Sequence, residues 1–155
     1  MIKTILVATD FSEHSQRAFE RAFELAEQLG AKLYLLHVQA GSFLRTAVKE
    51  GLLDAASTDE EMQQAVNQLI EGRFSQTICG VDHSRISIEH TTRRGDPDAV
   101  IPSFAEEVGA GLIVLGRRGS GLMDEMRAAV IGSVTQGVIR KSPCPVMVVR
   151  RDHRG

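Results

Sequence analysis

A chain of 155 residues, 43% hydrophobic and 25% charged, carries enough apolar material for one ordinary core, and residues 1–155 are expected to form a single domain. Its formal charge of -2, with basic residues dispersed apart from Arg93-Arg94, Arg117-Arg118 and Arg150-Arg151, supplies no field for non-specific attraction to nucleic acid or an anionic membrane. No apolar run reaches bilayer-spanning length and no small-residue cleavage site follows the N-terminal run, so the expected location is cytoplasmic.

Ile2 to Ala8 is a β-rich apolar run ending in Thr9-Asp10-Phe11-Ser12, a turn and cap composition, so the first strand leads into a polar loop. A helix is expected from about Ser12. Its apolar residues Ala18, Phe19, Ala22, Phe23, Ala26 and Leu29 recur three and four apart, and Gly30 ends it. Leu33 to Val38 is a second continuous apolar run, as a parallel strand covered on both faces requires. Between Gln39 and Ser57, Leu44, Val48 and Leu52 predict one or two weak amphipathic turns, and Gly51 argues against a long helix. Thr58-Asp59-Glu60-Glu61 has capping-box spacing, which starts a helix at Asp59 and turns Met62, Ala65, Val66, Leu69 and Ile70 inward until about Cys79-Gly80.

Arg85 to Thr92 alternates as an edge strand does. Gly95-Asp96-Pro97 supplies a turn, an N-cap and a first-turn proline for a helix burying Val100, Ile101, Phe104, Ala105 and Val108. Pro102 removes a backbone donor beyond the first turn and predicts a bend or a loosened turn there. Leu112 to Leu115 is the fourth strand, followed by the loop Gly116-Arg117-Arg118-Gly119-Ser120-Gly121 and a short helical segment over Leu122 to Ile131. Ser133 is expected to cap a last helix running to about Lys141, and Ser142-Pro143-Cys144-Pro145 separates it from a fifth strand, Val146 to Val149. This alternation implies an open five-stranded parallel sheet with helices on both faces.

Ligands of such sheets sit beyond the carboxyl ends of the strands, where the strand order reverses. With order 3-2-1-4-5, Thr9-Asp10 and Gly116 to Gly119 become neighbours across that crevice. Bare glycine amides and the opening amides of a helix suit an anion, although the same glycines serve equally well to turn the chain. Asp10 has two readings as well: acceptor for a ribose or base, or turn and cap residue.

Taken together, Ile5-Leu6-Val7-Ala8-Thr9-Asp10-Phe11-Ser12, Leu36-His37-Val38, Gly95-Asp96-Pro97, Leu112-Ile113-Val114-Leu115-Gly116, Gly132-Ser133-Val134 and Pro143-Cys144-Pro145-Val146 resemble the universal stress protein (UspA-like) family over nearly the whole chain. The resemblance implies a Rossmann-like fold of the adenine nucleotide alpha hydrolase type. ATP-binding members carry Gly-x2-Gly-x9-Gly-Ser/Thr, which places Ala8, Thr9, Asp10, Val38, Leu115, Gly116, Arg118, Gly119, Gly132, Ser133 and Val134 at an ATP site. Two departures stand out. Twelve residues separate Gly119 from Gly132 where the pattern has nine, and Ala8 stands where many members have proline.

Rival chemistries have little support in the sequence. The five histidines and the cysteines Cys79 and Cys144 show no metal-ligand spacing, and both cysteines read as small buried hydrophobes. No P-loop is present and no Ser/His/Asp order has context. Asp124 and Glu125 suit either a phosphate-bound Mg²⁺ ion or a solvated helix face. The expected function is an adenine-nucleotide-binding homodimeric regulator of a stress response, paired through strand 146–149, with no catalytic residue assigned and any ATP hydrolysis slow. The alternatives are a protein-interaction scaffold that binds no ATP and a slow nucleotide hydrolase.

Overall fold

The computed structural model describes residues 1–52, 54, 58–117 and 131–150, the side chains of 42–44 and 46 excepted. Strands β1 (Thr4–Thr9), β2 (Lys32–Gln39), β3 (Ile88–Arg94), β4 (Leu112–Gly116) and β5 (Val146–Val149) form one sheet in the order β3-β2-β1-β4-β5. Every pairing is parallel. The helices are α1 (Glu13–Leu29), α2 (Gly41–Lys49), α3 (Asp59–Ile78), α4 (Pro97–Val108) and α5 (Ser133–Lys141).

The central strands alternate between two cores, which fixes their register because a one-residue slip would exchange the faces. Ile5 and Val7 of β1 join Phe19, Phe23, Val66, Ile70 and Phe74 of α1 and α3 on one face. Leu6 turns to the other, against Ile101, Phe104 and Ala105 of α4 and Val138 of α5. Continuous apolar strands are required because both faces are dry.

The helix ends explain where the chain turns. Ser12 caps α1 by accepting from Ser15 N–H, and Gly30, at φ 62°, supplies the left-handed residue that closes it. At α3 both halves of the capping box form, Thr58 Oγ1 accepting from Glu61 N–H while the Glu61 carboxylate accepts from Thr58 N–H.

Several local expectations are corrected. Arg85, the expected first residue of the third strand, instead ends a 3₁₀ turn over His83–Arg85, because the Asp82 carboxylate accepts from Ser84 N–H, and β3 runs from Ile88 to Arg94. Pro102 does not interrupt α4. Ala99 and Val100 N–H both reach the Asp96 carbonyl, so the first turn is already closed, and the buried ring forfeits only its own bond to the preceding turn. Gly132, not Ser133, is the N-cap of α5, and Ser133 is its first helical residue. Cys79 is exposed at the end of α3, where its thiol donates to the Gln76 carbonyl, and Cys144 is half-buried. The helix expected over Leu122 to Ile131 lies outside the described residues, apart from Ile131 itself.

Candidate functional site

A cavity opens at the carboxyl ends of β1 and β4, where the chain leaves the sheet centre in opposite directions. It is lined by Ala8, Thr9, Asp10 and Ser15 from β1 and the start of α1, Val38 from β2, Pro97 and Ile101 from α4, Leu115 and Gly116 from β4, and Val134 and Thr135 from α5. It has a cavity volume of about 110 Å³ and opens to solvent. The walls are mostly apolar, with the polar groups gathered at the β1 turn.

That turn is held by its own sequence. Thr9 Oγ1 accepts from Phe11 N–H at 3.0 Å and lies 3.0 Å from Ser15 Oγ, while Asp10 Oδ1 accepts from the amide and hydroxyl of Ser12 at 3.0 and 2.5 Å. Phe11 adopts φ 64°, a left-handed conformation that costs a residue with a Cβ about 1–2 kcal/mol. Its ring offsets that cost by packing 4.5 Å from the His37 ring and edge-on to Phe74 at 5.3 Å. His37 is buried, and its Nδ1–H donates to the Thr9 carbonyl at 3.0 Å. Burial holds its imidazole below the ordinary value of 6.5, against smaller opposing pulls from the Thr9 carbonyl and the Asp10 carboxylate.

The other wall joins β4 to α5. Thr135 Oγ1 donates to the Gly116 carbonyl at 3.1 Å, and Gly132 N–H donates to the Arg117 carbonyl at 3.0 Å. The two glycine elements therefore meet beyond β4. Gly132 spends its amide on that junction, leaving Ser133, Val134 and Thr135 as the opening amides of α5, where a helix has no acceptor of its own. Neither α5 nor α4 has a side-chain cap: N-cap Gly132 has no side chain, and N-cap Asp96 makes no cap hydrogen bond. Two helix starts whose first donors lack side-chain partners thus flank one apolar slot.

Of the residues singled out in the sequence, Ala8, Thr9, Asp10, Val38, Leu115, Gly116 and Val134 line the cavity together. Gly132 and Ser133 stand immediately before Val134 at the start of α5, and Arg118 and Gly119 lie outside the described residues. Gly116 is also constrained by a contact that the sequence did not reveal. A Cβ there would meet the His14 backbone at 2.8 Å, so the missing side chain admits the start of α1. Ser15, Pro97, Ile101 and Thr135 were missed as site residues. Ser15, three positions after the Ser12 cap, and Pro97, opening the helix after Gly95-Asp96, carried the nearest signals. Among the described residues no group of three or more His, Cys, Asp or Glu side chains could hold a metal ion, and Asp124 and Glu125 lie outside them. No helix among the described residues is long and apolar enough to cross a membrane.

The molecule is an open, doubly wound α/β protein with its crevice at the switch in strand order. The universal stress protein family profile matches residues 1–150, and the chain belongs to that family. A Staphylococcus haemolyticus relative named for the same family is 31% identical over 152 residues, spanning 97% of this chain and 86% of its own. UspA from Lactobacillus plantarum has the same fold, with a TM-score of 0.69 at 26% identity over 96% of this chain and 98% of that one. The universal stress protein of Archaeoglobus fulgidus, solved in complex with dAMP, shares the fold with a TM-score of 0.60 at 21% identity over 97% and 98% of the two chains.

Proposed function

We propose that the crevice binds an adenine nucleotide, ATP with Mg²⁺ in the fullest form, and that the protein is a cytoplasmic homodimeric regulator whose output is the bound state rather than turnover. The observation that carries this is the pairing of an apolar slot, between Val38, Ile101, Leu115 and Val134, with two helix starts that lack side-chain caps. A flat base fits the slot, and phosphates suit the amides of Ser133 to Thr135. In this reading Asp10 and Thr9, which line the cavity, accept from a ribose hydroxyl, and Arg118 and Gly119 are proposed for the phosphate tail from the family pattern alone. A protein of the same fold holding dAMP supports the ligand class. The proposed domain is the whole chain, 1–155.

Isothermal titration with ATP and Mg²⁺, ADP and AMP tests the reading. Binding by the unmodified chain, lost in Val134→Trp, is expected, because Val134 is 39% exposed and a larger ring there fills the slot without disturbing the core. No heat and no thermal shift with any of the three would refute it. The scaffold reading then takes over, favoured by the twelve residues between Gly119 and Gly132. Dimerisation has its own support: β5 is an edge strand of four apolar, half-buried residues, a poor surface to leave in water. Pairing with a second copy across a two-fold axis would cover it. Light scattering at micromolar concentration should return twice the 16.9 kDa chain mass, and a monomer would count against it.

A further inference from the structure

The width of the crevice depends on how closely α5 approaches α4, and one residue without a side chain governs that approach. Pro97 and Ile101 of α4 and Val134 and Thr135 of α5 are all wall residues. Asp98 lies between the first two, and Gly137 lies about one turn along α5 from Val134. A Cβ at Gly137 would stand 2.6 Å from Asp98 Cβ and 3.0 Å from its Oδ2, whereas unbonded carbons rest at about 3.5–4.0 Å. The α5 backbone is therefore seated on an atom fixed to the main chain of α4, which no change of rotamer can move aside. Asp98 also reaches forward along α5, its Oδ2 accepting from Lys141 Nζ at 3.0 Å. The same residue thus holds α5 at two successive turns. Gly137 is buried inside a helix and its φ is outside the left-handed range. Backbone conformation therefore does not call for glycine, the poorest helix former after proline, and close approach does.

We infer that Gly137 and Asp98 form a spacer that sets the crevice to the thickness of a flat heteroaromatic base, which makes Gly137 a positioning residue for the ligand. The inference rests on the nucleotide reading above and adds what tunes it. Relieving a contact of 2.6 Å requires α5 to move by about 1 Å, and a gap of that size forfeits a quarter to a half of the dispersion attraction across a slot. Val134, on the same short helix, moves with Gly137.

The experiment measures AMP and ATP affinity by titration calorimetry, with melting temperatures, for the unmodified chain, Gly137→Ala, and Gly137→Ala combined with Asp98→Gly or with Asp98→Ala. Gly137→Ala should weaken both nucleotides about tenfold. It should also fail to raise the melting temperature, although alanine is the better helix former. Adding Asp98→Gly removes the opposing Cβ and should bring affinity back to within about threefold, whereas adding Asp98→Ala keeps that Cβ and should not. Both double variants lose the same carboxylate and the same ion pair with Lys141; Asp98→Gly is in addition the poorer helix former, which lowers its melting temperature and works against rescue, so a rescue of affinity confined to it reports the spacer. Equal affinity for Gly137→Ala and the unmodified chain, or equal rescue by both double variants, overturns the spacer and leaves the nucleotide reading standing. An unmodified chain that binds neither nucleotide overturns the nucleotide reading, and the spacer role falls with it.

Discussion

The two faces of the sheet treat their helix starts in opposite ways. On one face, α1 and α3 begin beneath side chains that take up their first amides, Ser12 in one case and the Thr58–Glu61 capping box in the other. On the other face, α4 and α5 begin without any such bond. The capped pair also buries the larger apolar stripe against the strands, while α5 contributes only Val138 to the buried cluster on its face. Of the two uncapped starts, α5 leaves the amides of Ser133 to Thr135 open beside the crevice, whereas α4 opens with a proline that has no N–H and returns the amides of Ala99 and Val100 to the Asp96 carbonyl.

The largest expected effect tests how the closed face meets the crevice. Gly116→Val would drive a branched side chain into the His14 backbone, where even a Cβ stands at 2.8 Å. We expect a loss of about 2–3 kcal/mol in urea unfolding without ligand, the cost of overpacking against main chain. A loss below about 0.5 kcal/mol would mean that α1 has room to retreat. Because the variant disturbs the fold, it is a poor probe of ligand binding.

Acid provides the next separation. His37 is buried with its folded-state value below 6.5, so the unfolded chain takes up protons first as pH falls. Its contribution to stability is fully present above about 6.5, the unfolded value, and declines as pH drops below that value towards the lower folded one. Melting temperatures followed from pH 7.5 to 5 should fall, and His37→Gln should flatten that fall. An equally steep profile in the variant would assign the acid sensitivity elsewhere.

Thr58→Ala then removes one half of a capping box and should cost about 1 kcal/mol. The site of the loss is exposed, so no cavity adds to it. A change near zero would show that the closed face does not depend on its caps, and the contrast between faces would lose its energetic content.

How much of this was legible in the sequence follows from the range of each interaction. The strands could be read because burial on both faces demands continuous apolar runs, and Thr58 to Glu61 could be read because a capping box spans four neighbouring residues. The order β3-β2-β1-β4-β5 was posited as the one that makes Thr9-Asp10 and Gly116 to Gly119 neighbours across the crevice, and it is the order observed. The start of β3 was misplaced because Asp82 caps a local turn that overrides the alternation beginning at Arg85. Among the strand-end members of the cavity, Thr9, Asp10 and Gly116 were visible as chain positions beyond a carboxyl edge, whereas Ala8, Val38 and Leu115 were implied only by the family resemblance. Ile101 and Thr135 were neither, since their place in the wall depends on how α4 and α5 lie against each other. The glycine at 116 could be read as bare amide for an anion or as a chain turn, but not as the seat of the α1 backbone at His14, a contact between segments distant in sequence.

The smallest expected effect bears most directly on the contrast between the two faces. Asp96 is the N-cap of α4 by position, and an aspartate there would ordinarily match Thr58 in worth. Its side chain makes no cap bond, and α4 starts by other means: Pro97 presets the first helical φ, while the amides of Ala99 and Val100 reach the Asp96 carbonyl at 3.0 and 2.9 Å. All of these belong to backbone or to the next residue, so Asp96→Ala should leave stability within about 0.5 kcal/mol, against about 1 kcal/mol for Thr58→Ala. The same substitution removes a negative charge beside the crevice and should modestly tighten nucleotide binding at low salt, with the gain fading as salt rises. A stability loss equal to that of Thr58→Ala would mean that Asp96 caps α4 in solution, and the contrast between the two faces would then rest on α5 alone.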